Sequence, residues 1–358
     1  MASGLGTHTL ARPPWFPFSA AAAGNYCAVA SFNDSNPTVP FVSKLRFGWY
    51  IQQARIDTSG PSVLLSEANS TDTPLDEALP KKGGEMPTVK VGDINMYYEV
   101  HGKGEPLLLI MGLGSDLTGW MFQIPEFSMK YQVIVFDNRG VGRTDAPDKP
   151  YSIKMMADDT VRLMDALGIN RAHILGLSMG GIIAQELAIK YPERVKSLVL
   201  AATEAGKYNF RDHTVGAWAA AKTEGVSPRT FFRLVFPFIF TDKFFENSGI
   251  VEMALDTMAA TPYLQPAHAF AHQVTAGAEH NARGRLSQIA APTLVLVGKE
   301  DILLPAKLSE ELATGIPKAK LVVLEGGGHG FNIEISDKFN QAVLDFLAEI
   351  ASSLHSSQ

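Results

Sequence analysis

From residue 86 onward the chain alternates between two hydrophobic patterns. Short unbroken apolar runs, Pro106-Leu107-Leu108-Leu109-Ile110-Met111, Val133-Ile134-Val135-Phe136 and the stretch 195–201, read as strands buried on both faces, the pattern typical of parallel sheets. Arg171-Ala172-His173-Ile174-Leu175 reads as a further short buried strand, and 292–297 and 320–324 as two more. Between them lie stretches with apolar residues at helical spacing. One covers 153–167, with Met156, Val161, Leu163, Met164 and Leu167 on its stripe and Gly168 stopping it; the others are 182–190, 306–313 and 336 to about 352. Ahead of this series, 88–91 and 95–100 read as antiparallel strands turning at Gly92-Asp93. Strands alternating with helices predict an α/β fold with a mostly parallel sheet, whose ligands bind at the carboxyl ends of the strands.

The rhythm breaks between residues 204 and 287. That segment holds Trp218, Phe231-Phe232, Phe236-Pro237-Phe238-Ile239-Phe240 and Phe244-Phe245, with helical stretches and no convincing buried strand. A helical insertion of this kind between two strands predicts a cap over the carboxyl edge of the sheet. The expected organisation is therefore a core of 86–203 and 288–358 with a helical cap at 204–287. At least half of the cap aromatics should be cap core, because a fully exposed aromatic wall aggregates.

Residues 1–85 differ from the rest. Pro13-Pro14-Trp15-Phe16-Pro17-Phe18 is broken by proline, 66–74 is polar, and Lys81-Lys82-Gly83-Gly84-Glu85 resembles a linker. The expectation is a weakly ordered extension. Arg12 before an apolar stretch and Ala28-Val29-Ala30 give a signal peptide some footing, which the prolines and Asn25 weaken. Cytoplasmic residence is expected, with secretion left open.

Composition narrows the chemistry. The 358 residues are 46% hydrophobic with a net charge of −6 and no basic stripe, which argues against nucleic acid as a partner. Cys27 is the single cysteine, so neither an internal disulfide nor a cysteine metal site is available. No apolar run reaches bilayer length. A monomer or small homo-oligomer acting on a small apolar molecule is the default expectation.

The chemistry centres on Gly176-Leu177-Ser178-Met179-Gly180-Gly181, at the joint of a strand and a helix. A serine between two glycines there is a nucleophile elbow: strand and helix can approach only where side chains are nearly absent. The helix that follows points free N–H groups and its positive end at the site.

With that elbow, Met111-Gly112-Leu113-Gly114, Phe136-Asp137-Asn138-Arg139-Gly140-Val141-Gly142, Val297-Gly298-Lys299-Glu300-Asp301 and Gly327-Gly328-His329-Gly330, the chain resembles the α/β-hydrolases, in the capped esterase and lactonase branch that includes 3-oxoadipate enol-lactonases. The resemblance spans about 89–350. It implies helices on both faces of the sheet, no cofactor and no metal, and a nucleophile–acid–base order along the chain. Ser178 takes the nucleophile's place and His329, in its glycine-rich loop past a strand, the base's. Asp301, directly after the strand 294–297, is the preferred acid, and Glu204, after the preceding strand, is its rival. The backbone N–H groups of Leu113 and Met179 would form the oxyanion hole. Met111 departs from the histidine many relatives carry there, which alters packing behind that loop.

Other candidates read as structural. Asp137 looks like a carboxylate fixing its loop, His101 and His173 like strand or surface residues, and His268, His272 and His280 like packing or capping groups. Trp120 could line the cleft or anchor the following helix. A serine at the elbow, where dehalogenases and epoxide hydrolases of this fold use aspartate, implies acyl transfer to water. A carboxylesterase for short- to medium-chain esters is the first expectation and a lactonase, for acyl-homoserine lactones or enol-lactones, the second. A slow-turnover or non-enzymatic small-ligand receptor is the third. An enol-lactone diacid would call for cationic pocket groups, for which Arg139, Arg143, Arg229 and Arg233 are available.

Overall fold

The computed structural model describes residues 87–355, with side chains through Ser352. The expected extension at 1–85, its linker and its signal-peptide alternative all lie outside the described residues.

Eight strands form one sheet: β1 Thr88–Val91, β2 Ile94–His101, β3 Glu105–Ile110, β4 Tyr131–Phe136, β5 Ala172–Leu177, β6 Val195–Ala201, β7 Thr293–Gly298 and β8 Ala319–Leu324. Their spatial order is β1-β2-β4-β3-β5-β6-β7-β8. Only the first two pairings are antiparallel; from β4 to β8 every pair is parallel. The continuous apolar runs are explained by this burial: every residue of β5 and of β7 is buried.

Side chains alternate across the sheet. Leu108, Ile110, Ile134, Phe136 and Ile174 point to one face, packing with Met156, Leu163, Ile182, Leu187 and Leu312. Leu107, Leu109, Val133, Val135 and Leu175 point to the other, against Trp120, Phe127, Phe339, Val343 and Phe346. The first layer belongs to helices α2 Ile153–Ala166, α3 Met179–Lys190 and α9 Ala306–Gly315; the second is built by the short α1 Ile124–Phe127 and by α11 Ser336–His355. Ser152 starts α2 by accepting a hydrogen bond from Met155 N–H, and Gly168, at φ 69, follows its end. The helix after the elbow begins three residues earlier than its apolar stripe, at Met179, with Gly180 against the Ile110 carbonyl and Gly181 against the Thr203 side chain. The turn of 3-10 helix at Leu117–Trp120, α1 and the short α10 Phe331–Glu334 have no periodic signature and were not foreseen.

Between β6 and β7 every regular element is helical: α4 Asn209–Thr223, α5 Pro228–Ile239, α6 Asp242–Phe245, α7 Ser248–Ala259, α8 Ala267–Glu279 and a 3-10 turn at Arg283–Gln288. Its core joins Val215, Trp218, Phe231 and Phe270 to Leu303, Leu304 and Leu308, with Leu113 alongside. The insertion thus packs on the loops that follow β3 and β7, at the carboxyl ends of those strands. Phe231 and Phe236 are buried, and Phe240 stacks on Phe244 with centroids 4.1 Å apart.

Candidate active site

Ser178 sits at the tightest point of the fold. A Cβ on Gly176 would lie 2.3 Å from the Gly180 carbonyl oxygen, and one on Gly180 would lie 2.0 Å from that of Ile110. Only glycine lets β5, β3 and the start of α3 converge. The backbone there is strained, with Ser178 at φ 56 and ψ −121, a conformation costing about 1–3 kcal/mol that surrounding contacts must hold. Ser178 N–H donates to Ala201 O (2.9 Å), and its own carbonyl accepts from Gly181 N–H and from Thr203 Oγ1, both at 2.8 Å. The Thr203 contact depends on Ala202, the second non-glycine residue at positive φ (43), which turns the chain just past β6.

The serine hydroxyl is half-buried and faces His329, whose Nε2 lies 2.9 Å from Ser178 Oγ. His329 Nδ1 lies 2.8 Å from Asp301 Oδ2, and both residues are buried. Asp301 Oδ1 accepts from the N–H groups of Leu303 (2.9 Å) and Leu304 (2.8 Å), so its second oxygen is fixed on the imidazole. A carboxylate only accepts, so Nδ1 carries the proton and Nε2 is left to accept from the serine hydroxyl. Burial alone would lower the His329 pKa; the charge and hydrogen bond of Asp301, with the field of Glu204, outweigh it and hold it above its ordinary value.

Glu204 is also buried here, but its carboxylate is taken by Arg211 (Oε1–Nη2 2.7 Å). Burial pushes that carboxyl above its usual range, with Arg211 opposing. The imidazole therefore contacts Asp301 and not Glu204. Asp137 fixes its loop as expected: Oδ1 accepts from Leu117 N–H and Oδ2 from Arg143 N–H, both at 2.8 Å. Burial lifts its pKa to about 6 against those two bonds.

Gly112 lies against the nucleophile; a Cβ there would stand 3.1 Å from Ser178 Cβ. Among the described residues, no acceptor engages the N–H of Leu113 or of Met179, the two groups expected to hold an oxyanion. The loop is braced from the insertion, since Gln273 Oε1 accepts from Gly114 N–H (3.2 Å) while its amide donates to Arg139 O (2.9 Å). Thr203, Gln273 and Arg211, the partner of Glu204, carry no motif in the sequence.

The remaining candidates are absorbed structurally. Trp120 is fully buried among Phe127 and Phe339 on the α11 face, which makes it an anchor rather than a cleft wall. His173 is buried within β5, its Nδ1 2.7 Å from Ser197 Oγ and its Nε2 3.0 Å from Glu105. His268 Nε2 meets Ala146 O, His272 Nε2 meets Asp148, and His101 pairs with Glu99. Burial drives the His280 pKa down to about 4. Three of the four arginines are held by carboxylates: Arg139 is bound by Asp159 and Asp93, whereas Arg143 lies between the rings of Tyr97 and Tyr263, 4.4 Å from each centroid, with its buried Nη1 lacking a hydrogen-bond partner among the described residues. Arg229 pairs with Glu252 and Asp256, and Arg233 with Glu252. No group of metal-binding side chains occurs among the described residues, and no described helix is long and apolar enough to cross a membrane.

Comparison with known proteins agrees with this architecture. Residues 105–225 match the description "alpha/beta hydrolase fold", and 267–351 match "TAP-like protein". The chain is 34% identical over 266 residues to a protein of Azorhizobium caulinodans named "Putative carbamate hydrolase RutD", covering 74% of this chain and 99% of that one. It is 33% identical over 263 residues to 3-oxoadipate enol-lactonase 2 of Acinetobacter baylyi, covering 72% of this chain and 94% of the relative. Among solved structures, a thermophilic esterase from Thermogutta terrifontis superposes with a TM-score of 0.67 at 29% identity, over 74% of this chain and 99% of that one.

Proposed function

The chain belongs to the α/β-hydrolase family, and we propose that within it this protein is a serine carboxylesterase for short- to medium-chain esters. The observation that carries the reading is the unbroken contact from a half-buried Ser178 hydroxyl through His329 to Asp301, at 2.9 and 2.8 Å. In this mechanism His329 takes the Ser178 proton as Oγ attacks the ester carbonyl, and the imidazolium that forms is stabilised by Asp301. The oxyanion accepts from the N–H groups of Leu113 and Met179. His329 then returns its proton to the leaving alkoxide, and water, activated by the same base, hydrolyses the acyl-enzyme.

The helical insertion serves as the cap, supplying an apolar wall where Leu113 meets Trp218, Phe231 and Phe270. Such a wall favours an uncharged acyl group over a phosphorylated one. A lactone differs only in that the leaving alcohol stays tethered. One observation favours that second reading for an acid-bearing lactone: Lys222 Nζ is held by Gln265 O (2.8 Å) against the rings of Phe231 and Phe270, with no carboxylate partner among the described residues.

The test is hydrolysis of p-nitrophenyl esters from two to sixteen carbons beside a lactone panel, with wild type and Ser178→Ala. Fast turnover of short esters, falling roughly 10⁴- to 10⁶-fold in the alanine variant, is expected. A strong lactone preference would move the assignment to lactonase. Tight binding with a single slow turnover would identify a receptor, and full activity in Ser178→Ala would overturn the mechanism.

A further inference from the structure

The base sits in a loop that cannot hold itself. Residues 326–330 read Gly-Gly-Gly-His-Gly, and glycine has more backbone freedom to lose than any other residue. Yet His329 must keep two hydrogen bonds within a few tenths of an ångström to work. One side of the loop is fixed from the acid loop, where Glu300 N–H donates to Gly327 O (3.0 Å) and Gly326 N–H donates to Glu300 Oε2 (3.0 Å).

The other side is fixed from the insertion. Gly330 N–H donates to Ile239 O at the end of α5 (2.7 Å). Gly328 N–H donates to Glu334 Oε2 (2.9 Å), and the second oxygen of that carboxylate accepts from both the N–H and the hydroxyl of Thr241, each at 2.8 Å. The glycines are there for this approach: a Cβ on Gly328 would lie 2.9 Å from Ile239 O, and one on Gly330 would lie 2.8 Å from Ile239 Cγ2.

We propose that Glu334 is a positioning residue whose single carboxylate locks the His329 loop to Thr241 of the helical insertion, so that the base is in register only when the insertion is seated. A carboxylate is required because three donors converge on two oxygens; an amide offers one acceptor and must turn its NH₂ toward a donor. The inference rests on the esterase reading for its kinetic meaning. Its geometry can also be read without turnover, through the proton shared by His329 Nδ1 and Asp301.

The experiment compares Glu334→Gln, Thr241→Val and the double variant in the full-length protein. Each is assayed for kcat and KM on p-nitrophenyl butyrate, for thermal midpoint, and by proton NMR for the downfield His329 Nδ1–H resonance. Glu334→Gln is expected to lower kcat roughly 10- to 100-fold with KM within about threefold, as for a base displaced by up to 1 Å. The downfield resonance should shift or broaden. Thr241→Val should move both readouts the same way by less, and the double variant should match Glu334→Gln, since both act through one contact. Wild-type kcat and an unmoved resonance in Glu334→Gln would overturn the proposal. So would a lowered thermal midpoint with kcat intact, or fully additive losses. If the wild type hydrolyses no ester through Ser178, the functional reading fails, while the resonance still decides whether Glu334 and Thr241 seat the imidazole.

Discussion

At Ser178 a strained backbone, a half-buried hydroxyl and an imidazole at 2.9 Å occur together, and each depends on a neighbour with no reacting atom of its own. Thr203 holds the serine carbonyl, and the Leu303 and Leu304 amides hold one oxygen of Asp301 so that the other faces His329. Asp301→Asn keeps the shape but removes the charge that stabilises the imidazolium, and it can favour the wrong tautomer. A drop in kcat of about 10³- to 10⁴-fold is expected, measured on a short ester. The pH profile carries a sign. His329 must be neutral to act and its pKa is raised, so the acid limb of kcat/KM should fall above the ordinary value of 6.5 in the wild type. In Asp301→Asn burial acts without the opposing carboxylate, and that limb should move to lower pH.

The elbow exists because elements approach more closely than side chains allow. Gly180→Ala would drive a Cβ to within 2.0 Å of the Ile110 carbonyl, a backbone group that cannot rotate away. A loss of about 3 kcal/mol or more is expected in urea unfolding, and failure to fold is the limiting case. Arg139 works differently. It is buried between Asp159 (2.7 Å) and Asp93 (2.8 Å), tying the loop after β4 to α2 and to the β1–β2 turn. Arg139→Met leaves the buried Asp159 carboxylate with only Arg162, 3.6 Å away, and a cost of about 3 kcal/mol is expected by the same measurement.

At the scale of the whole molecule, all eight described strands and both segments that match family models lie beyond residue 86. A chain beginning at Met86 is therefore expected to keep its unfolding midpoint and its kcat on short esters, and a loss of either would give residues 1–85 a part in the active fold. Acid stability is also a property of the whole. His280 resists protonation down to about 4, whereas an unfolded histidine takes up a proton near 6.5. Folded stability from this group is present above 6.5 and is lost as pH falls toward 4, by on the order of 3 kcal/mol. Asp137, raised to about 6, works in the opposite direction. Comparing wild type with His280→Gln isolates the first contribution: the variant should lose less stability between pH 6.5 and pH 4.

Local pattern was enough for the strands, the helices flanking them and the elbow. A buried parallel strand must be apolar along its whole length, and a strand–helix joint around Ser178 must be lined by glycine; both constraints are written in consecutive residues. The helical character of 204–287 was legible for the complementary reason, that no run in it could pass as a buried strand. Ser178, His329 and Asp301 were nameable because each stands in a loop whose neighbours mark it. What joins residues far apart in the chain was not legible. The choice of Asp301 over Glu204 at His329 Nδ1 depends on Arg211 taking the second carboxylate. The pairing of Arg139, Arg229 and Arg233 depends on acids elsewhere in the chain, and the seat of Arg143 on two tyrosines. Thr203 at the Ser178 carbonyl and Thr241 at the Glu334 carboxylate are short-range hydrogen-bond partners brought in by long-range folding. Periodicity records which face a residue buries; only the tertiary structure decides which polar atom it meets there.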